Sequence, residues 1–92
     1  MSRRRSATMM GRVPVYVLHH RHDAADCAAS YAAWKGFHSP LRRTTALSSC
    51  VAGGHEIWWK VTAPSAKEAE SLLPRYVALR TAVTEMREVF IP

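Results

Sequence analysis

Cysteine, long apolar runs and acidic side chains are all scarce in this chain of 92 residues. A small secreted domain usually carries more than two cysteines, because disulfides compensate for a limited core. No apolar run approaches the ~20 residues that a membrane-spanning helix needs, and no leader-like apolar stretch directly follows the basic N-terminus. We therefore expect a soluble, cytoplasmic protein. Its two cysteines, Cys27 and Cys50, are expected to be reduced, mostly buried and apolar in role.

The scarcity of acidic residues leaves a net charge of +6, but the positive excess is concentrated at one end. Four of the thirteen basic residues lie before residue 13, namely Arg3, Arg4, Arg5 and Arg12. From residue 13 onward nine basic and seven acidic side chains nearly cancel, so the folded part lacks the broad positive surface typical of nucleic-acid-binding domains. We predict a disordered basic arm over residues 1–12, with Met1, Met9 and Met10 as candidate starts. A nucleic acid is not expected as the main partner.

Sequence motifs of the common enzyme classes are also missing. The chain has no nucleophile elbow, no phosphate-binding glycine loop and no closely spaced pair of cysteines. Enzymes that depend on such motifs are therefore disfavoured. The sequence assigns no catalytic residue, and it leaves open whether the protein is an enzyme.

What the chain does contain is an alternation of strand-like and helix-like segments. β-branched and aromatic residues favour strands, and helix-forming runs that follow Asp23 or Ser65 favour capped helices. These patterns predict strands over residues 13–20, 44–52, 55–62 and 84–91, and helices over residues 23–35 and 65–82. Pro74 should kink or restart the second helix, because proline removes an amide donor and clashes with the preceding turn.

Gly53 and Gly54 separate the second and third predicted strands, and both can take the positive φ of a two-residue hairpin turn. The order of elements is then β-α-β-β-α-β. That order predicts an α+β fold of the ferredoxin-like type over residues 13–92. We expect a four-stranded antiparallel sheet in the order 4-1-3-2, with two helices on one face.

Alternation along the strands predicts which side chains pack under the helices, because opposed residues of a hairpin share a face. The predicted core face holds Cys50, Ile57, Trp59, Val61, Val15, Val17, Val89 and Ile91. The predicted open face holds Tyr16, Leu18, His20, Ser49, Glu56, Trp58, Lys60, Met86, Glu88 and Phe90. The apolar members of the open face form a patch of a size that usually marks an interface, so we predict a homodimer.

Histidines cluster where the first strand ends, at His19, His20 and His22, and His55 opens the third strand. Because antiparallel neighbours bring the end of one strand beside the start of the other, His20 or His22 can approach His55. Imidazole suits zinc, copper and nickel. The hypothesis is a transition-metal site, for Ni or Zn, formed by His20, His22 and His55. The alternative is that each histidine is solvated or hydrogen-bonded without a metal.

A second hypothesis uses the aromatic residues of the same region. His20 or His22 beside Glu56 would form a His–carboxylate pair, in which the carboxylate orients the ring. Tyr16 and Trp58, together with Trp34, could line an apolar pocket for a ring-bearing molecule. We therefore predict a small-molecule site formed by Tyr16, His20, Glu56 and Trp58. The alternative is an ordinary surface pair beside an interface.

The length and element order of residues 13–92 resemble the dimeric α+β barrel superfamily of small ferredoxin-like homodimers. That superfamily includes monooxygenases, isomerases and metal-responsive members, so the resemblance implies a homodimer that binds a small organic ligand or a metal. The runs 61–65 (VTAPS) and 87–92 (REVFIP) also look similar to small nickel-binding ferredoxin-like proteins. No ligand residue is carried over from those proteins. The runs 33–37 and 49–59 resemble a small family of bacterial proteins.

The same element order also describes the RNA-recognition motif, which stacks bases on aromatic residues of strands one and three. The run 15–17 (VYV) resembles the start of its strand-one motif, and residues 54–61 loosely resemble its strand-three motif, with Trp58 at an aromatic position. Glu56 stands at the other aromatic position, where a carboxylate repels phosphate. A module that binds single-stranded RNA is therefore the alternative function.

Overall fold

The computed structural model describes residues 13–92, so the predicted basic arm lies outside the described residues. The elements in chain order are β1 (Val15–Arg21), α1 (Cys27–Ala32), β2 (Leu47–Ser48), β3 (Glu56–Thr62), α2 (Ala66–Glu70), α3 (Arg75–Ala78) and β4 (Thr81–Met86). A 3-10 turn over Ala24–Asp26 leads into α1, and another over Cys50–Ala52 follows β2. The fold is therefore mixed α+β.

The four strands form one antiparallel sheet in the order β2-β3-β1-β4. β1 lies between two full-length neighbours, and its Leu18 stands opposite Trp59 of β3 and Val83 of β4. Buried and partly exposed residues alternate along both central strands, as expected when only one face of a sheet is covered. The short helices cover that face.

The hydrophobic core lies between the sheet and the helices. Its buried members are Tyr16, Leu18, Ile57, Trp59, Val61, Ala63, Ala69, Leu73 and Val77. Leu18 is fully buried at the centre of β1, and Val77 of α3 is almost fully buried. Burying one such aliphatic side chain contributes roughly 1.5–3 kcal/mol, so the core of this small domain depends on a few positions.

The predicted facing of β1 was wrong, and the predicted facing of β3 was right. Tyr16, Leu18 and His20 are buried under the helices, opposite Val61, Trp59 and Ile57. Val15 and Val17 lie on the open face. β1 has apolar residues at both its odd-numbered and its even-numbered positions, so alternation alone did not separate its two faces. A shift of one residue in the assumed pairing exchanges the faces of a strand.

The predicted two-residue hairpin at Gly53 and Gly54 was also wrong. β2 is only two residues long and pairs Ser48, rather than Cys50, with Ile57. The chain then leaves the ladder, because the Ser49 carbonyl accepts hydrogen bonds from the amides of Ala52 (2.9 Å) and Gly54 (2.8 Å). A longer loop therefore joins the two strands, and its residues are free to take a role other than strand pairing.

The predicted helix signals in the second half of the chain are confirmed. The Ser65 hydroxyl accepts a hydrogen bond from the amide of Glu68 at 3.2 Å, as an N-cap does. Pro74 ends one helical segment and serves as the N-cap of α3, since it has no amide hydrogen to donate. Among the described residues, no helix combines the length and the apolar character that crossing a bilayer requires.

The last strand begins and ends earlier than predicted. β4 covers Thr81–Met86 because α3 is a single short turn, and the Arg80 carbonyl already accepts a hydrogen bond from the Arg21 amide at 3.0 Å. Residues 87–92 form no regular structure. The prediction that Val89 and Ile91 belong to the core was therefore wrong, and their exposed fractions are 74% and 76%.

Candidate metal centre

Two thiols and two imidazoles converge at the end of the sheet where β1 stops and β3 begins. One potential ligand atom from each of His22, Cys27, Cys50 and His55 lies within 4.8 Å of the other three. His22 follows β1, Cys27 starts α1, Cys50 starts the 3-10 turn after β2, and His55 precedes β3. The His22 amide donates to the His55 carbonyl at 3.1 Å. That bond extends the ladder between β1 and β3, and it places the two imidazoles side by side.

The four residues form two arms with mirrored spacing in the sequence, H-x4-C and then C-x4-H. The Nε2 atom of His22 lies 3.8 Å from Sγ of Cys50. Around a tetrahedral zinc ion, bonds of about 2.0–2.3 Å separate the donor atoms by roughly 3.3–3.8 Å. The His22–Cys50 separation already has this size, and the other pairs of donor atoms lie within 4.8 Å.

His20 connects the cluster to the protein core. Its side chain has no exposed surface, and its Nδ1 lies 3.3 Å from the Val77 carbonyl oxygen, which can only accept. Nδ1 therefore carries the proton, and Nε2 of His20, 3.0 Å from Nδ1 of His22, accepts a hydrogen bond. His22 then donates from Nδ1 and keeps the lone pair of Nε2, the atom that faces Cys50.

Burial lowers the pKa of His20 below its usual value, against the opposing effect of the Val77 hydrogen bond. A neutral His20 can accept from His22 as the hydrogen-bond chain requires. Such outer contacts fix the tautomer and the ring orientation of histidines that bind metals. The chain from Val77 through His20 to His22 thus prepares one imidazole nitrogen for coordination.

His55 is held in an unusual backbone conformation beside the cluster. Its φ is +54°, in the left-handed region that costs a non-glycine residue roughly 1–2 kcal/mol. The Nδ1 atom of His55 is buried and has no hydrogen-bond partner among residues 13–92. A buried nitrogen without a partner is costly, and a metal ion would satisfy it.

The two thiols differ in acidity. A hydrogen bond from the Ser48 hydroxyl lowers the pKa of Cys50, and Tyr31 donates its hydroxyl to the Cys50 sulfur at 3.7 Å. Partial desolvation and the neighbouring Cys50 raise the pKa of Cys27. Cys50 is therefore the more readily ionised of the pair. Because thiolates are the form that binds metals, a bound cation would favour the ionised form of both thiols.

The structure brings together two of the three histidines of the predicted metal set. His22 and His55 have ring centroids 5.6 Å apart, whereas His20 lies behind His22 and outside the group of four donors. Cys27 and Cys50 were not predicted, because each was interpreted as a small apolar residue. The signal that could have revealed them is the equal spacing of each cysteine from a histidine.

The structure separates the predicted small-molecule set into two groups. Tyr16 and His20 lie on the core face, and Glu56 and Trp58 do not. Glu56 faces neither His20 nor His22: its Oε2 pairs with Nε of Arg21 at 3.3 Å and lies 3.7 Å from Nε2 of His19. The ring of Trp58 stacks on that of its cross-strand neighbour His19, with centroids 4.9 Å apart and the planes 7° from parallel.

Comparison of the chain with protein-family models, with curated proteins and with solved structures gave no match. The chemistry of the donor set is itself informative. Two thiols and two imidazoles are typical ligands of Zn²⁺, whereas Mg²⁺ and Ca²⁺ prefer oxygen. The cluster therefore suits a borderline or soft transition metal rather than an alkaline-earth ion.

Proposed function

We propose that the protein binds one Zn²⁺ ion through His22, Cys27, Cys50 and His55. The observation that carries the proposal is the convergence of four donor atoms within 4.8 Å. Four protein ligands complete a tetrahedron and leave no open position, which is the pattern of structural zinc sites rather than catalytic ones. The ion would fasten the start of α1 to the loop between β2 and β3.

A structural role also suits the elements that carry the ligands. α1 is six residues long and β2 only two, so neither is stable without tertiary contacts. An ion that binds the folded state stabilises it in proportion to RT ln(1 + [L]/Kd), which is about 4 kcal/mol when zinc is a thousandfold above its Kd. That amount is a large share of the stability of a small domain.

Zinc is favoured over nickel because the donor set is two sulfurs and two nitrogens, and this set, when it is arranged as a tetrahedron, is diagnostic of zinc or iron–sulfur sites. Square-planar coordination is typical of Ni²⁺. The nickel hypothesis stays a prediction that the same titration tests.

The test is a metal titration of the full-length, tag-free protein. We expect one equivalent of Zn²⁺ by elemental analysis, and a thiolate-to-cobalt charge-transfer band when Co²⁺ replaces it. The variants Cys27→Ser and Cys50→Ser should each lower the intensity of the band, because one of two thiolates is lost, and weaken zinc binding by at least roughly a hundredfold, since a ligand is removed outright. Zinc should also raise the midpoint of thermal unfolding of the wild type and not that of these variants.

The matched control is His38→Ala, which removes an exposed histidine from the loop after α1. It should bind zinc as the wild type does. Substoichiometric binding by the wild type, or equal loss in His38→Ala and His22→Ala, would contradict a site at the four named residues. Tighter binding of Ni²⁺ than of Zn²⁺, without a tetrahedral cobalt spectrum, would favour the nickel hypothesis.

We infer further that the domain is ferredoxin-like, an inference supported by the sheet order β2-β3-β1-β4 and by helices in both connections that cross one face. The RNA-binding alternative receives less support. Tyr16, the aromatic residue of the resembling strand-one motif, is 5% exposed and lies under the helices. It cannot stack on a base, so an RNA-recognition surface would lack one of its two platforms.

A further inference from the structure

A pocket of about 310 Å³ opens between α1, the loop that precedes β2, and the edge of β3. Its lining includes the apolar Tyr31, Trp34, Leu41 and Trp59 and the cationic Arg42 and Arg43. Tyr31 and Ser48 of the lining also contact Cys50, but none of the four donor residues of the metal cluster lines the pocket. The pocket is therefore a separate site, and a ligand held there would not require zinc binding.

The aromatic walls of the pocket are fixed by packing. Trp34 and Trp59 have ring centroids 5.7 Å apart and planes at 48°. Phe37 packs edge-on against Trp34, with centroids 6.2 Å apart and planes at 82°. Offset and edge-to-face arrangements of this kind are the favourable ones. The indoles thus pack against each other, and a flat ring can lie against the apolar surface that they present to the pocket.

The cationic side of the pocket has no acidic partner. Arg42 is half-buried and Arg43 is exposed, and neither forms an ion pair with a carboxylate of residues 13–92, where all the acidic residues of the chain lie. The backbone of Arg43 takes a φ of +63°, which is unfavourable for a side chain with a Cβ atom. Two adjacent guanidinium groups beside apolar walls create a field that attracts an anion.

We propose that this pocket binds a small aromatic carboxylate. Its ring would lie against Trp34 and Trp59, and its carboxylate would accept hydrogen bonds from Arg42 and Arg43, whose planar guanidinium groups match the geometry of a carboxylate. A volume near 300 Å³ is at the lower end of small-molecule sites, so it fits one ring with a short acidic substituent. The indoles add no binding free energy for an inorganic anion, and the guanidinium charges add none for a neutral aromatic molecule.

The experiment is an NMR titration of the full-length protein with three probes: benzoate, its neutral counterpart benzamide, and inorganic phosphate. Benzoate should shift the indole N–H resonances of Trp34 and Trp59 saturably and leave that of Trp58 in place, because Trp58 does not line this pocket. Benzamide should bind roughly tenfold more weakly or worse, since it loses a charge-assisted interaction. Phosphate should leave the indoles unshifted.

The double variant that carries both Arg42→Gln and Arg43→Gln should lower the affinity for benzoate to that for benzamide, and it should leave the affinity for benzamide unchanged. The control is a double variant with both Arg75→Gln and Arg87→Gln, which removes the same charge from exposed positions outside the pocket. It should bind benzoate as the wild type does. Equal affinities for benzoate and benzamide, shifts centred on Trp58, or an unaltered Arg42/Arg43 variant would each overturn the proposal.

Discussion

At the scale of single residues, His20 determines how well His22 can act as a ligand. Replacing His20 by alanine removes the acceptor that orients Nδ1–H of His22. We expect zinc affinity to fall by about 10–100-fold, the usual effect of losing a ligand-orienting contact, while the stoichiometry stays at one. A competition titration against a chromophoric chelator measures this change.

The conservative variant His20→Gln separates orientation from packing. Its side-chain oxygen can accept from His22 and its amide nitrogen can donate to the Val77 carbonyl, so it should recover most of the lost affinity. His20 is fully buried, and its alanine variant is therefore also expected to unfold more easily. If His20→Ala binds zinc as tightly as the wild type when both are folded, the orienting role is wrong.

At the scale of elements, the loop between β2 and β3 carries two of the four proposed zinc ligands, and its turn has little free space. A Cβ atom on Gly54 would lie 2.7 Å from Cβ of Ser49, whereas at Gly53 nothing lies within 4 Å and only the φ of +87° opposes a side chain. Gly54→Ala should therefore displace Ser49, whose hydroxyl accepts from the Glu56 amide at 3.1 Å. We expect a loss of about 1–3 kcal/mol in the free energy of unfolding and weaker zinc binding, measured by denaturation with and without zinc.

The comparison variant for this loop is Val51→Ala. Val51 belongs to the 3-10 turn over Cys50–Ala52 in the same loop, and it is fully exposed. Its truncation should therefore change the free energy of unfolding by less than about 0.5 kcal/mol. A Gly54→Ala protein as stable as Val51→Ala would show that the loop is not constrained at Ser49.

At the scale of the whole molecule, the homodimer remains a prediction, and the structure changes which residues would form it. The open face of the sheet carries Val15 and Val17 in place of Tyr16 and Leu18, beside the predicted Trp58 and Met86. We expect Met86→Glu to weaken self-association by at least about tenfold, because the partner copy would bury a like charge near itself. Light scattering over a concentration series measures the effect.

Leu79→Glu is the control for self-association, since Leu79 is 68% exposed and lies on the helical side. It should associate as the wild type does. A wild-type protein that stays monomeric at every concentration would remove the homodimer from consideration, and it would leave the zinc and carboxylate proposals untouched.

Local signals predicted those features that local physics controls. Ser65 caps a helix because its hydroxyl meets an amide three residues on, and Pro74 restarts one because it has no amide hydrogen. The inward facing of Ile57, Trp59 and Val61 followed from a strand with one clearly apolar parity. In each case the information lies within a few neighbouring residues.

The tertiary structure decided the facing of β1 and the composition of the metal cluster. β1 is apolar at both parities, so only its register against Val61 and Trp59 settles which side chains are buried. Cys27 and Cys50 lie far apart in the sequence, and each of them considered alone is expected to behave as a small apolar residue. They become potential ligands only because the ladder between β1 and β3 sets His22 beside His55 and the turn after β2 brings Cys50 toward α1. The sequence alone determined the mixed α+β fold class and the start of the second helical region. The candidate metal site depends on distances between residues that only the folded chain defines.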